Sequence, residues 1–335
     1  MSDFEMLRSR RINRLDEELH DAGARALGAR IELLKEIERA RFPRRHERRF
    51  PGYGAIVSEG DDTDVIDQLD AIGAERLIGR RESSHLVREM ADGIQSFALI
   101  RADTAELVLL PSAIPREVEL VRLQRTLGRE ATLVCRSGDG IVKVVEHDQI
   151  LNFDGTRWWT KPDSRRYATS VRAAVPGAPL DVVQLVLDFC VHTAAPAAGG
   201  TILVWCLAEA ALDAVHASSL RTHPSMPFDM PLTIPETHSA LQHVLCQVDG
   251  AATVDRSGNV VEIGLHLHPS ADSHSAVDVS PVTGTRHAAA QQCSFDVDDA
   301  LFFVVSDDGP VTVFARGRVV ASIRSSESES GVEGR

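Results

Sequence analysis

Lysine is nearly missing from this 335-residue chain. Only Lys35, Lys143 and Lys161 occur, so 33 of the 36 basic residues are arginine. None of the three follows a G-x-x-x-x-G-K-[ST] loop. Without the lysine that reaches the β- and γ-phosphates, a P-loop NTPase is excluded. Cysteine is sparse too. Cys135, Cys190, Cys206, Cys246 and Cys293 are odd in number and far apart, with no C-x-x-C pair. A disulfide scaffold is excluded, a cysteine zinc site is not expected, and a reduced cytoplasmic chain is the simple reading. No run of about eighteen apolar residues exists, so no membrane-spanning helix is expected. The N-terminus MSDFEMLRSRR is charged and lacks an apolar signal core.

What is there is ordinary for a globular protein: 43% hydrophobic and 25% charged residues. The charge is uneven. Residues 1–50 hold 13 Lys/Arg and 10 Asp/Glu, a net of +3, so the rest must carry −16 to give the overall −13. An acidic body repels a phosphate backbone, so nucleic-acid binding is not expected of it. The basic N-terminal segment keeps the ability to touch an acidic partner.

Periodicity divides the chain. Residues 5–41 place Leu7, Ile12, Leu15, Leu19, Leu27, Ile31, Leu34 and Ile37 mostly three or four apart, which predicts one helix, or two broken near Gly23 and Gly28. Packing or oligomerisation is the expected use of this helical N-terminal segment, 1–50. Pro43 and Pro51 mark 41–54 as a linker. Residues 55–165 read as a smaller α/β region with no obvious chemistry. Helices are expected at 63–77, 83–92 and 116–127, and strands at 96–101, 106–111, 131–135, 141–146 and 149–153. Trp158 and Trp159 are adjacent, so on a strand they face opposite sides.

From 179 to 324 an α+β domain is expected, a mixed β-sheet flanked by helices. Its helices fall at 182–194, at 236–247 and from Thr285. Its strands fall at 201–206, 251–255, 260–267, 301–306, 311–316 and 319–323, with a Pro-rich loop at 224–235 and a polar loop at 268–283. The Ser/Glu-rich tail 325–335 reads as disordered.

Two short motifs carry chemistry. Asp249-Gly250-Ala251 lies where a helix meets a strand. A carboxylate there is a hard ligand for Mg²⁺ or Mn²⁺, and the glycine admits a ligand close to the backbone. Gly284-Thr285-Arg286-His287 opens a helix, with Thr285 read as its cap. A helix start offers N–H groups to phosphate, and Arg286 and His287 add charge and donors. Gly155-Thr156-Arg157 repeats three of those letters but sits in a hairpin.

Taken together, DGA, a hairpin ending at Leu267, a polar loop, GTRH opening a helix and a strand ending at Ser306 resemble the diadenylate cyclase (DAC) domain family. That family includes the DNA-integrity scanning protein. The resemblance spans about 180–324 and implies a sensory function for the preceding region, 55–165. The family pattern is DGA followed by RHR within a GTRHR-type segment, and here the second arginine is replaced by Ala288.

The resemblance implies a cyclase that condenses two ATP into cyclic di-AMP with release of two pyrophosphates. It implies Mg²⁺ or Mn²⁺ on Asp249. Catalytic roles fall to Asp249, Arg286 and His287. Nucleotide contacts fall to Gly250, Ala251, Leu267, Gly284, Thr285, Arg286, His287 and Ser306. It implies a face-to-face homodimer or higher homo-oligomer; the lack of a long apolar run and the acidic body leave neither membrane nor nucleic acid as an expected partner. The departure at Ala288 keeps a second reading open: a catalytically weakened sensor that binds ATP or cyclic di-AMP. A third is a scaffold whose N-terminal helices bring a regulator to a partner.

Three other clusters have plain explanations. His266, His268 and His274 are read as a half-buried strand and its loop, not a zinc site. Ser306-Asp307-Asp308-Gly309 is read as a hairpin turn. Asp61-Asp62-Thr63-Asp64 is read as a helix start.

Overall fold

The computed structural model describes residues 3–24, 30–43, 50–58, 62–77, 84–101, 104–197, 200–221, 229–280, 284–307 and 309–327. The chain divides into two compact units, Met1–Asp163 with Ser325–Arg335, and Ser164–Arg324.

The first unit begins with α1 (Asp3–Asp21) and α2 (Ile31–Arg41). It continues as β1 (Tyr53–Ser58), α3 (Asp62–Ala71), β2 (Glu75–Leu77), α4 (Ser84–Met90), β3 (Ser96–Arg101) and β4 (Thr104–Leu109). Then come α5 (Glu117–Leu127), β5 (Ala131–Arg136), β6 (Val142–Val145), β7 (Gln149–Phe153) and β8 (Trp158–Pro162). The strands form one sheet in the order β8-β7-β6-β5-β1-β3-β4-β2, with β1 and β3 parallel. Alternation on these strands feeds two cores, one on each face. Val57, Val134 and Val144 pack with Leu15, Leu19, Leu33, Leu34 and Ile37 of the first two helices. Ile56, Leu99 and Leu133 pack with Val65 and Leu69 of α3 and with Leu120 and Val121 of α5.

The N-terminal helices therefore share a core with the sheet and do not form a separate segment. The unit they complete is comparable in length to the one that follows. The expected helix at 63–77 stops at Ala71. Gly73, at φ 76°, turns the chain, with the Ala74 N–H donating to Leu69 O. Glu75–Leu77 then pair with β4, so strand pairing overrides the helical pattern. Arg41 lies 4.4 Å from the ring centre of Phe153 and 5.7 Å from that of Trp158. Of the tryptophan pair, Trp158 is the buried one. Residues 155–157 turn between β7 and β8 around the Asp154 carboxylate, which accepts from the Thr156 and Arg157 N–H groups.

The second unit runs α6 (Arg165–Ala174), α7 (Leu180–Phe189), a π-turn (Cys190–Ala194), β9 (Thr201–Cys206), α8 (Glu209–Ala217), β10 (Ser219–Arg221) and β11 (Met230–Pro231). It goes on as α9 (His238–Gln247), β12 (Ala251–Val254), β13 (Asn259–Leu267), α10 (Ala271–Ala276), α11 (Thr285–Asp296), β14 (Ala300–Val305), β15 (Val311–Ala315) and β16 (Arg318–Ile323). The sheet order is β10-β13-β12-β9-β14-β15-β16, with β11 also on β13. β9 and β12 run parallel; the other pairs are antiparallel. Leu203, Trp205, Phe303 and Val305 face a core with α6, α7 and α9. Ile202, Val204, Phe302 and Val304 face the other core, with Ala211 and Val215 of α8 and Ala290 and Cys293 of α11.

This is the expected α+β arrangement of a mixed sheet between helices. The loop expected at 268–283 carries α10, capped by Ser270, which accepts from the Ser273 N–H at 3.0 Å. The chain then returns to the first unit. β17 (Ser326–Glu327) pairs with β8 and makes the first sheet nine strands wide. The tail expected to be disordered from 325 thus starts as a strand, and residues 328–335 lie outside the described residues.

Candidate functional site

Register brings the two motifs together. Ala251 sits opposite Ile202 of β9 on one side and Leu265 of β13 on the other. Ile202 in turn sits opposite Val304 of β14. Leu265, Ala251, Ile202 and Val304 are therefore one cross-strand row, and all four belong to the same core face. They floor a cleft of about 900 Å³ at one end of the sheet. Asp249, Gly250, His266, Leu267, Gly284, Thr285, Arg286, His287, Ala289, Val305, Ser306 and Asp307 complete its wall.

Gly250 is the joint between α9 and the floor. Its φ is 114°, a left-handed value that a side chain rarely accepts. A Cβ there would lie 2.9 Å from the Gly264 carbonyl carbon. The ladder shifts register between Ala251 and Ala252, opposite Gly264, so Gly264 is the extra residue of a β-bulge against which Gly250 packs. The Asp249 side chain is exposed, and its Oδ1 accepts from the Gly250 N–H at 3.0 Å.

The far wall is the start of α11. Gly284, not Thr285, is the N-cap: its extended backbone (φ −61°, ψ 151°) makes Thr285 the first helical residue. No side chain caps this helix, so the Thr285 hydroxyl is not used up in a cap. His287 Nε2 lies 3.3 Å from Thr312 Oγ1, and its ring meets Phe314 edge-on at 6.0 Å. Arg286 Nη1 bonds both Asp307 oxygens, at 3.1 and 3.2 Å. Ser306, after β14, closes a turn by donating its N–H to Pro310 O at 2.9 Å.

All nine site residues expected from the sequence thus line one cleft. Ala288 does not line it, although its neighbours His287 and Ala289 do. Sequence reasoning missed the floor residues Ile202, Leu265 and Val304, and the wall residues His266 and Asp307. Alternation shows that the floor residues are apolar, but their alignment depends on strand register. Asp307 reads as a turn residue until α11 is placed beside it. The three histidines do not gather, and Nδ1 of His274 pairs instead with Gln292 at 3.0 Å. Among the described residues no three His, Cys, Asp or Glu side chains form a metal group.

The sheet end thus offers a helix start, a guanidinium and two carboxylates in one cleft. Comparison with known families makes this specific. Residues 193–319, within the second unit, match the family DAC, described as DisA bacterial checkpoint controller nucleotide-binding. Residues 13–162 match DACNK, described as a probable sensor domain. Among solved structures, the chain is similar to a hypothetical membrane spanning protein from Bacillus cereus. That match has 18% identity over 44% of this chain and 72% of the other, at a TM-score of 0.31. It is also similar to a double mutant of DacA from Staphylococcus aureus, at 20% identity over 47% and 86% of the two chains and a TM-score of 0.28. Comparison with curated proteins gives no match. No described helix is long and apolar enough to cross a membrane.

Proposed function

We propose that the second unit is a diadenylate cyclase that converts two ATP into cyclic di-AMP and two pyrophosphates. The observation that carries this is the convergence of Asp249-Gly250-Ala251, Gly284-Thr285-Arg286-His287, Leu267 and Ser306 on one cleft. Each 3′-hydroxyl oxygen bonds to the α-phosphorus of the other nucleotide. The bond from that phosphorus to pyrophosphate breaks, and the hydroxyl proton passes to water. No covalent enzyme intermediate is needed, so catalysis is positioning and charge neutralisation.

The phosphates lie against the start of α11, where Thr285, Arg286, His287 and Ser306 supply donors. Gly250 and Ala251 line the nucleotide edge, and Leu267 packs beside the base. The donor set suits Mg²⁺ or Mn²⁺: of the two carboxylates in the cleft, Asp307 is engaged by Arg286, and Asp249 is exposed and leaves most of the coordination to substrate phosphates and water. When bound, the ion polarises the α-phosphate and lowers the pKa of the attacking hydroxyl. The cleft keeps this donor set despite Ala288, which lies outside its wall. That favours turnover over the weakened-sensor reading.

One cleft holds one ATP, so two protomers must meet with their nucleotides facing. The first unit is proposed to regulate that meeting in response to a signal. Incubating the purified chain with ATP and Mn²⁺ or Mg²⁺, followed by mass spectrometry, tests the proposal. Cyclic di-AMP is the expected product. Bound but unconverted ATP would favour the sensor reading.

A further inference from the structure

The geometry points to Asp307 as a positioning residue for Arg286, with Gly200 as the gap that lets the two meet. This deepens the phosphate-site reading above and rests on it. Three chain segments converge here: the start of β9, the end of β14 and the start of α11. The Gly200 N–H donates to Asp307 Oδ1 at 2.5 Å, and both Asp307 oxygens accept from Arg286 Nη1. Among the described residues, Nε and Nη2 of Arg286 make no hydrogen bond and remain available to an anion. The backbone amide fixes the carboxylate, and the carboxylate holds the guanidinium by one nitrogen only.

Gly200 is needed here for space. Its φ lies outside the left-handed region, so any residue could adopt this backbone. Yet a Cβ would come within 2.1 Å of Arg286 Nη1 and 2.2 Å of Asp307 Oδ1. Both are the far ends of flexible side chains, so an alanine would push the pair apart without straining the main chain. The pair is exposed, 43% for Arg286 and 68% for Asp307, so it contributes little to stability. Its use is to hold a long, otherwise mobile side chain in one pose at the wall of the cleft. Among the described residues, Arg286 is the one arginine that lines the cleft.

The experiment has two parts on the full chain. In ligand-free protein, ¹⁵N NMR of the Arg286 guanidinium should show a restrained group. The restraint should be lost in Asp307→Asn and in Gly200→Ala, at unchanged melting temperature. Next, affinity for inorganic pyrophosphate with Mg²⁺ should fall about threefold to fivefold in either variant, as expected for loss of an exposed charged contact. In an Arg286→Ala background the Asp307→Asn change should have no further effect, because Asp307 acts through Arg286. A freely averaging guanidinium in the wild type would overturn the inference. So would unchanged or tighter pyrophosphate binding in Asp307→Asn, since Asp307 would then be idle or a competitor for Arg286. A chain that shows all these effects but forms no cyclic di-AMP would refute the cyclase proposal and leave the positioning role standing.

Discussion

Arg286 and His287 bring unlike supports to the same helix start. Arg286 leans on an exposed carboxylate, whereas the His287 ring is wedged between Thr312 and Phe314. Charge-assisted contacts to phosphate are worth ~1.5–3 kcal/mol each. Arg286→Ala and His287→Ala should therefore each weaken binding of a non-hydrolysable ATP analogue by about tenfold or more. Isothermal titration would measure this, and unchanged affinity in both would refute the phosphate role. The cysteines make a second residue-scale prediction. Burial pushes the Cys135, Cys206 and Cys293 thiols up to about 12, and raises that of Cys190 as well. Thiolate is the reactive form, so these four should be inert at neutral pH. Cys246 is exposed. A thiol reagent should label one cysteine in the native chain and all five after denaturation.

At the scale of elements, the strands were largely legible because alternation and turn residues mark them. SFALIR is β3, TILVWC is β9, and β13 ends at Leu267 as the spacing implied. Less legible were pieces whose conformation depends on partners far along the chain. β2 forms by pairing with β4, and β17 by pairing with β8. The site was legible as two motifs but not as a surface, because its floor is a register property of four strands. Gly250 shows how the elements hold that surface. Gly250→Ala forces a side chain into a left-handed backbone and against Gly264. Strain of this kind costs ~1–3 kcal/mol. The melting temperature should fall, and nucleotide affinity should fall with it because Asp249 and Ala251 flank the joint. Full stability in this variant would show that the bulge does not depend on glycine.

At the scale of the whole molecule, the product of the proposed reaction has a two-fold axis, whereas the chain carries one DGA and one GTRH motif. The proposed reaction therefore requires two copies to meet through the same surface on each. The net charge of −13 opposes that contact, and the nucleotide pair between the protomers favours it. Specific activity at low protein concentration should therefore rise with concentration. Adding an Asp249→Asn chain should depress activity beyond simple dilution, because mixed pairs would be impaired. A monomeric preparation with a constant rate per chain would contradict this.

The central claim concerns the reaction. Its most direct test measures cyclic di-AMP and pyrophosphate together, in wild type and Asp249→Asn, with ATP and Mn²⁺ or Mg²⁺. Wild type should release two pyrophosphates for each cyclic di-AMP. Asp249→Asn, which keeps side-chain volume at an exposed position, should keep its melting temperature and lose the product. Wild type that binds ATP and releases neither product, or a fully active Asp249→Asn chain, would contradict the account.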